Sequence, residues 1–208
     1  VATDAGDVVA DRCVLANDAW VARLGFLRNR VVPLHAHVVA TQPLPRHALW
    51  PGREGVIDAR TFFDFYRVTR DGRLVLGGGA PVLHERASAR TFDRLERELA
   101  TIFPHLAGAR IERRWTGPMG FTLDRLPVVG EVAPNVIASA GWCGHGIALS
   151  FAAGAAIADG RHEGLPWHRA SAPQLPPEPL RSWGLSAYLR ALGLKDRAAR
   201  LRHRRVCT

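Results

Sequence analysis

The apolar positions of this chain change period several times, and each change predicts an element. Val8, Val9, Val14 and Leu15 fall in short runs around Asp4-Ala5-Gly6, which predicts two strands within Val1 to Leu15. The chain therefore opens inside a sheet. From Val31 to Thr41, His35 and His37 alternate with Leu34, Ala36 and Val38, the period-two pattern of a strand with one half-exposed face. Phe65 to Thr69, the Asp71-Gly72 turn and Leu74 to Leu76 predict a hairpin within Phe62 to Gly79. The following Gly77-Gly78-Gly79 reads as a place of close approach or a flexible exit. Phe92, Leu95, Leu99, Ile102 and Phe103 then recur at helical spacing, with Ser88 or Thr91 as the N-cap, Pro104 as the stop, and Asp93 to Glu98 on a solvated face.

Ile147 to Asp159 predicts a helix of small and apolar residues. After Gly160 a Pro- and Arg-rich stretch through Leu180 reads as an extended connector. A last helix is predicted from Leu185 to Arg202, with Tyr188, Leu189, Leu192 and Leu201 on its apolar side. Arg190, Arg197, Arg200, Arg204 and Arg205 lie elsewhere on or beyond it.

Composition narrows the class. A chain of 208 residues, 47% hydrophobic, can bury one good-sized core. No apolar run reaches the roughly 18–20 residues of a membrane helix, and no export signal opens the chain. Cys13, Cys143 and Cys207 are too few and scattered for a disulfide framework or a zinc cluster, so a reducing cytoplasm is the expectation and no metal site is predicted. His35 and His37 have no third ligand of matching spacing nearby. The net charge of +9 is concentrated at the end: from Arg161 onward there are ten Lys or Arg against three acids. A tail-borne charge argues against nucleic acid as the partner of the whole domain. The basic last helix is compatible with an anionic partner or with docking on the parent domain, and a non-catalytic binding module with an Arg-rich tail is the competing reading.

The segment Gly141-Trp142-Cys143-Gly144-His145-Gly146-Ile147 carries the chemistry. Its three glycines bare the backbone of a turn that leads into the small-residue helix, whose first N–H groups favour negative charge.

Taken in order, several motifs resemble the C-terminal half of the FAD-dependent amine and amino-acid oxidases, the superfamily of glycine, sarcosine and D-amino-acid oxidases. They are the hairpin with Tyr66-Arg67 and Asp71 to Leu74, the helix ending Phe103-Pro104, Trp115-Thr116-Gly117, Thr122 to Gly130, and Gly141 to Gly146 with Ser150 and Gly154. The nearest likeness is to gamma-glutamylputrescine oxidase-like members. The resemblance implies an α+β fold, with a mixed, largely antiparallel substrate-domain sheet, packed helices and the remnant of a Rossmann-like FAD-binding domain. On this reading residues 1–30 are that remnant, 31–115 the substrate-domain sheet and helix, 116–160 the return to the FAD-binding domain, and 161–208 the connector and basic helix.

The implied reaction is hydride transfer from an amine C–H to flavin N5, giving an imine, with no strong side-chain base required. Gly141, Trp142, Cys143, Gly144, His145, Gly146 and Ile147 would pass beside the isoalloxazine of a non-covalently held FAD. Tyr66, Trp115 and His145 are the implied substrate-pocket residues, and the resemblance names no catalytic residue. His145 has two readings: it bonds flavin or lies near the amine, or it orients the turn through backbone carbonyls. Cys143 reads as a small buried filler.

Two departures narrow the expectation. Where glycine oxidase-like relatives grip a carboxylate with arginines, this chain has Met119 and Gly144, which implies an amine substrate over a simple α-amino acid. The Gly-x-Gly-x-x-Gly turn that admits the pyrophosphate of FAD is absent from the sequence. The expectation is a fragment, inactive alone, completed by a missing N-terminal segment or a complementary subunit.

Overall fold

The computed structural model describes residues 1–79, 81–83 and 89–206, with side chains of the last helix described through 195. In chain order the strands are β1 (Ala2–Thr3), β2 (Gly6–Asp7), β3 (Cys13–Leu15), β4 (Val32–Thr41), β5 (Val56–Ile57), β6 (Asp64–Val68), β7 (Leu74–Gly78), β8 (Ile111–Phe121), β9 (Val128–Ala133) and β10 (Val136–Ala140). The helices are α1 (Ala89–Ile102), α2 (Gly146–Ala158) and α3 (Leu180–Val206). The fold is α+β, in two compact units: Val1–Leu34 with Met119–Glu178, and His35–Pro118 with Pro179–Thr208. Among the described residues no helix is long and apolar enough to cross a membrane.

The first unit is built on a three-stranded sheet ordered β3-β10-β9. β3 runs parallel to β10, and β9 and β10 form an antiparallel hairpin whose turn places Asn135 at φ 62°. Asn tolerates this left-handed geometry better than most side chains. The sheet face carrying Val128, Ala138 and Ala140 packs on Val21, Val31 and Ala172. The connector is tied to this unit, with Leu175 N–H donating to Asn29 O at 2.7 Å and Arg30 donating to Ala172 O. Val8 and Val9 are 56% and 95% exposed and stand outside the strands, which corrects the expectation that they supply apolar sheet positions. The opening hairpin is only two residues per arm, so it has no face to bury them.

The second unit carries a five-stranded sheet ordered β5-β6-β7-β4-β8. β5, β6, β7 and β4 pair antiparallel, and the β6/β7 hairpin turns at Asp71-Gly72 as the sequence predicts. α1 lays Leu95 and Leu99 on Val39, Leu74 and Leu76. Burying each leucine contributes about 2 kcal/mol. The helix starts at Ala89, so Thr91 lies within it and is not its cap; Ser88 lies outside the described residues.

His35 and His37 are buried, at 4% and 1% exposure, and the half-exposed face expected of β4 is corrected accordingly. Burial lowers the His37 pKa, with His35 and Arg94 adding to the effect, and its ring meets Phe92 edge-on. Period-two alternation reports a strand but does not reveal whether its second face is also covered. Gly77, Gly78 and Gly79 mark a close approach made by the protein itself, since a Cβ on them would strike the Phe65 ring, Phe63 O and the Arg94 guanidinium.

α3 begins at Leu180, five residues ahead of expectation, and half-buries Leu185, Leu189 and Leu192. Tyr188 is 58% exposed, off the covered side. The side chains of Arg197, Arg200, Leu201, Arg204 and Arg205, and Cys207 as a whole, lie outside the described residues.

Candidate functional site

The glycine-rich loop joins β10 to α2 in the first unit. Its backbone alternates sharply: Gly141, Cys143 and Gly144 stand at φ 78°, 52° and 91°. Gly141 is required twice over, by its positive φ and because a Cβ would lie 2.8 Å from Thr122 Cγ2.

Asp18 holds the loop in place. Its Oδ1 accepts the amides of Gly141 at 2.8 Å and Trp142 at 3.3 Å, and its Oδ2 accepts that of Gly120, on β8, at 2.7 Å. Gly120 has no side chain because a Cβ would sit 2.5 Å from Asp18 Oδ1. Asp18 itself stands at φ 40°, a conformation that costs a non-glycine residue on the order of 1 kcal/mol and is offset by these charge-assisted bonds. Cys143 N–H donates to Gly120 O at 2.8 Å, closing the same junction.

The loop thus divides into two halves. Gly141, Trp142 and Cys143 are buried. Trp142 packs with Val129 and Ala153, and burial pushes the Cys143 thiol up, with its Sγ donating to Gly141 O at 3.3 Å. Gly144, His145 and Ile147 are exposed. The amides of Gly144, Gly146, Ile147 and Ala148 have no partner among the described residues, as the head of a helix dictates for the last three. The donors left free for a ligand therefore begin at Gly144.

His145 occupies the N-cap of α2 without a side-chain capping bond. Its backbone closes the turn, with N–H donating to Trp142 O and its carbonyl accepting from Leu149. The anchoring that one reading gave to the imidazole is supplied by the Asp18 carboxylate. Sequence reasoning missed Asp18 because no local pattern links it to amides 123 residues away.

A second brace comes from Arg169, which donates to Pro127 O at 2.8 Å, to Leu126 O and to Asp124 at 2.5 Å. Arg169 holds the Asp124 carboxyl down to about 2. A depressed carboxyl stabilises the fold above its ordinary value of 3.8, and that contribution is lost as pH falls through about 2. Asp124→Asn should therefore flatten the acid limb of stability, read by denaturant melts between about pH 2 and pH 5. An unchanged limb would show that the bridge does not couple to folding.

The other expected pocket residues belong to the second unit. Tyr66 on β6 meets Trp50 and Phe103 edge-on, with centroids at 5.9 and 5.2 Å. Trp115 on β8 is 43% exposed. β6 and β8 are three strand positions apart, roughly 14 Å at normal strand spacing.

Comparison with known proteins decides the family. Residues 1–160 match the DAO family, described as FAD dependent oxidoreductase. The chain belongs to this family. It is 33% identical over 168 residues to gamma-glutamylputrescine oxidoreductase of Escherichia coli K12, covering 76% of this chain and 38% of that protein. It is 31% identical over 152 residues to the probable oxidoreductase OrdL of Rhizobium meliloti, covering 72% of this chain and 35% of that one. The chain thus spans well under half the length of these curated relatives. The glycine oxidase of Geobacillus kaustophilus superposes with a TM-score of 0.61 at 26% identity, over 76% of this DAO-family chain and 43% of its own.

Proposed function

We propose that this chain forms the ring-side half of a FAD-dependent amine oxidoreductase and is inactive until an ADP-binding part joins it. The open amides of Gly144, Gly146, Ile147 and Ala148, on a loop fixed from behind by Asp18, are the observation that carries the reading. These donors fit a flavin's electron-rich edge, because they favour negative charge without an ionised side chain. No Gly-x-Gly-x-x-Gly turn is present for the pyrophosphate, so the fit is confined to the ring side.

FAD, when bound, would accept the hydride of an amine C–H, leaving an imine. The chain's own contribution is position and field. Asp18 fixes the loop, Trp142 and Cys143 fill the space behind it, and Gly144 leaves the front open. His145, exposed beside that opening, is available to the cofactor or the amine. Tyr66 and Trp115 remain the proposed pocket residues of the second unit. Free thiols at Cys13 and Cys143 support a reducing, cytoplasmic setting.

The substrate is an amine without an α-carboxylate at the reacting end. A Cβ on Gly144 would lie 3.8 Å from Met119 Sδ, so the two positions that hold arginines in glycine oxidase-like relatives are neighbours here, and both are uncharged. The gamma-glutamylputrescine oxidoreductase likeness supports the same class.

The test joins this chain to an ADP-binding unit of the family and follows yellow chromophore and amine-dependent dye reduction. Turnover of putrescine derivatives over glycine is the expected result. Met119→Arg should shift preference toward α-amino acids by about tenfold or more, as a bidentate carboxylate partner would. Faster turnover of glycine by the unaltered protein would overturn the substrate assignment, and a joined protein without flavin would overturn the cofactor.

A further inference from the structure

Two helices carry apolar surface that the chain leaves bare. α2 shows Ile147 and Phe151, 87% and 80% exposed, but its thirteen residues hold no charge that would select a partner. α3 differs, because its bare surface is bordered by charge. The helix lies beyond residues 1–160 that match the family, so the oxidoreductase reading assigns it no task.

α3 is apolar on two opposite sides. At 3.6 residues per turn Leu185, Leu189 and Leu192 fall on one side, and these are its half-buried leucines. Gly193 stands beside them, where a Cβ would meet the Phe62 ring at 4.0 Å. The opposite side is a continuous exposed arc of roughly 160°. Leu180, Trp183, Ala187 and Leu194 make its centre, with Trp183 69% and Leu194 64% in solvent. Arg190 closes one edge of the arc, and Lys195 with Tyr188 closes the other. A helix apolar on both sides needs two covers, and the protein supplies one.

Charge selects the second cover. Between Leu180 and Val206 the sequence has eight Lys or Arg and one acid, Asp196, and six of the eight fall between Lys195 and Arg205. Two copies would bring like charges together, which disfavours self-association through this side. A nucleic acid would match the charge but leave Leu180, Ala187 and Leu194 facing its phosphates. An anionic bilayer matches both features. The apolar centre enters below the headgroups, the long stems of Arg190 and Lys195 reach back to the lipid phosphates, and Trp183 and Tyr188 take the interfacial level their part-polar rings favour. The basic run that continues from Lys195 adds the second signal that stable anchoring needs.

We infer that α3 lies on the surface of an anionic membrane, with the side that carries Leu180, Trp183, Ala187 and Leu194 seated among the lipid headgroups. This is attachment and not a crossing, since no helix among the described residues is long and apolar enough to span. It does not depend on the flavin.

The test sediments the 208-residue chain with vesicles of phosphatidylcholine, either alone or with about one-third phosphatidylserine. Binding to the anionic vesicles should be about tenfold stronger or more, and should weaken as added salt screens the attraction. Trp183→Ser combined with Leu194→Ser removes apolar area from positions already in solvent, so the thermal melt should hold while binding falls about tenfold. Arg190→Gln combined with Lys195→Gln should weaken binding to the anionic vesicles and leave the weaker binding to neutral ones unchanged. If the chain ignores both kinds of vesicle, or if the apolar pair of substitutions leaves binding intact, the membrane is not the second cover. A chain that binds single-stranded RNA and not vesicles, or that pairs with itself through Trp183 and Leu194, overturns the inference in favour of nucleic acid or a second copy. None of these outcomes bears on flavin binding.

Discussion

Asp18→Ala is expected to lower stability by about 3 kcal/mol and to release the first half of the glycine loop. The substitution leaves the amides of Gly120, Gly141 and Trp142 without their shared acceptor, and unsatisfied buried donors cost about 1–3 kcal/mol each. Alanine also tolerates the positive φ poorly. Asp18→Gly separates the two effects, since glycine accepts the backbone geometry but supplies no oxygen. Asp18→Asn retains one acceptor for Gly141 and Trp142 while presenting an NH₂ group toward Gly120, so about half the loss is expected. Urea melts give the magnitudes, and hydrogen exchange at Gly141 and Trp142 gives the location. If Asp18→Ala melts with the parent protein and those amides stay protected, Asp18 does not hold the loop.

Arg60→Met is the second large effect, and it tests the other unit. Arg60 bridges Asp58, Asp64 at 2.5 Å and Glu98 at 2.9 Å, tying the approach to β6 to helix α1. Asp64 is fully buried, with Arg94 at 3.6 Å as its other cation. The two aspartates shift in opposite directions although the same arginine pulls both down. Burial raises the Asp64 pKa against the pull of Arg94 and Arg60. For Asp58 burial also acts upward, but bonds from the Arg60 side chain and amide and from the Asp64 amide bring its carboxyl below the usual range.

Removing Arg60 leaves a buried carboxylate short of its nearest charge, which costs about 3–5 kcal/mol. The sign with pH follows. An acid whose folded-state pKa is raised binds more protons folded than unfolded, so stability falls as pH rises from 3.8 through the raised value. Arg60→Met enlarges that window, and the variant should recover stability on mild acidification. Adding Asp64→Asn should restore part of the loss at neutral pH. A variant as stable as the parent, with no gain on acidification, would show that the cluster is not coupled to folding.

The sequence made the repeating elements legible, and with them the family. Leu95 and Leu99 at helical spacing, the Asp71-Gly72 turn and the small-residue run of α2 are local signals, and the structure places each within a residue or two. What stayed hidden depends on distant partners. Asp18 carries no local signal, and its role appears only when residues 120, 141 and 142 fold against it. His35 and His37 look half-solvated because a strand pattern records one face, whereas both rings are buried. The glycines of the loop showed where backbone is bare, but only the folded structure divides donors already taken at Gly141, Trp142, Cys143 and His145 from those still open at Gly144, Gly146, Ile147 and Ala148.

The bareness of Phe151 and Ile147 also bears on the life of this polypeptide in a cell. A contiguous greasy helix in water is the feature that chaperones and degradative proteases recognise. Whatever covers that face, from the same polypeptide or from another, therefore decides how long the protein survives.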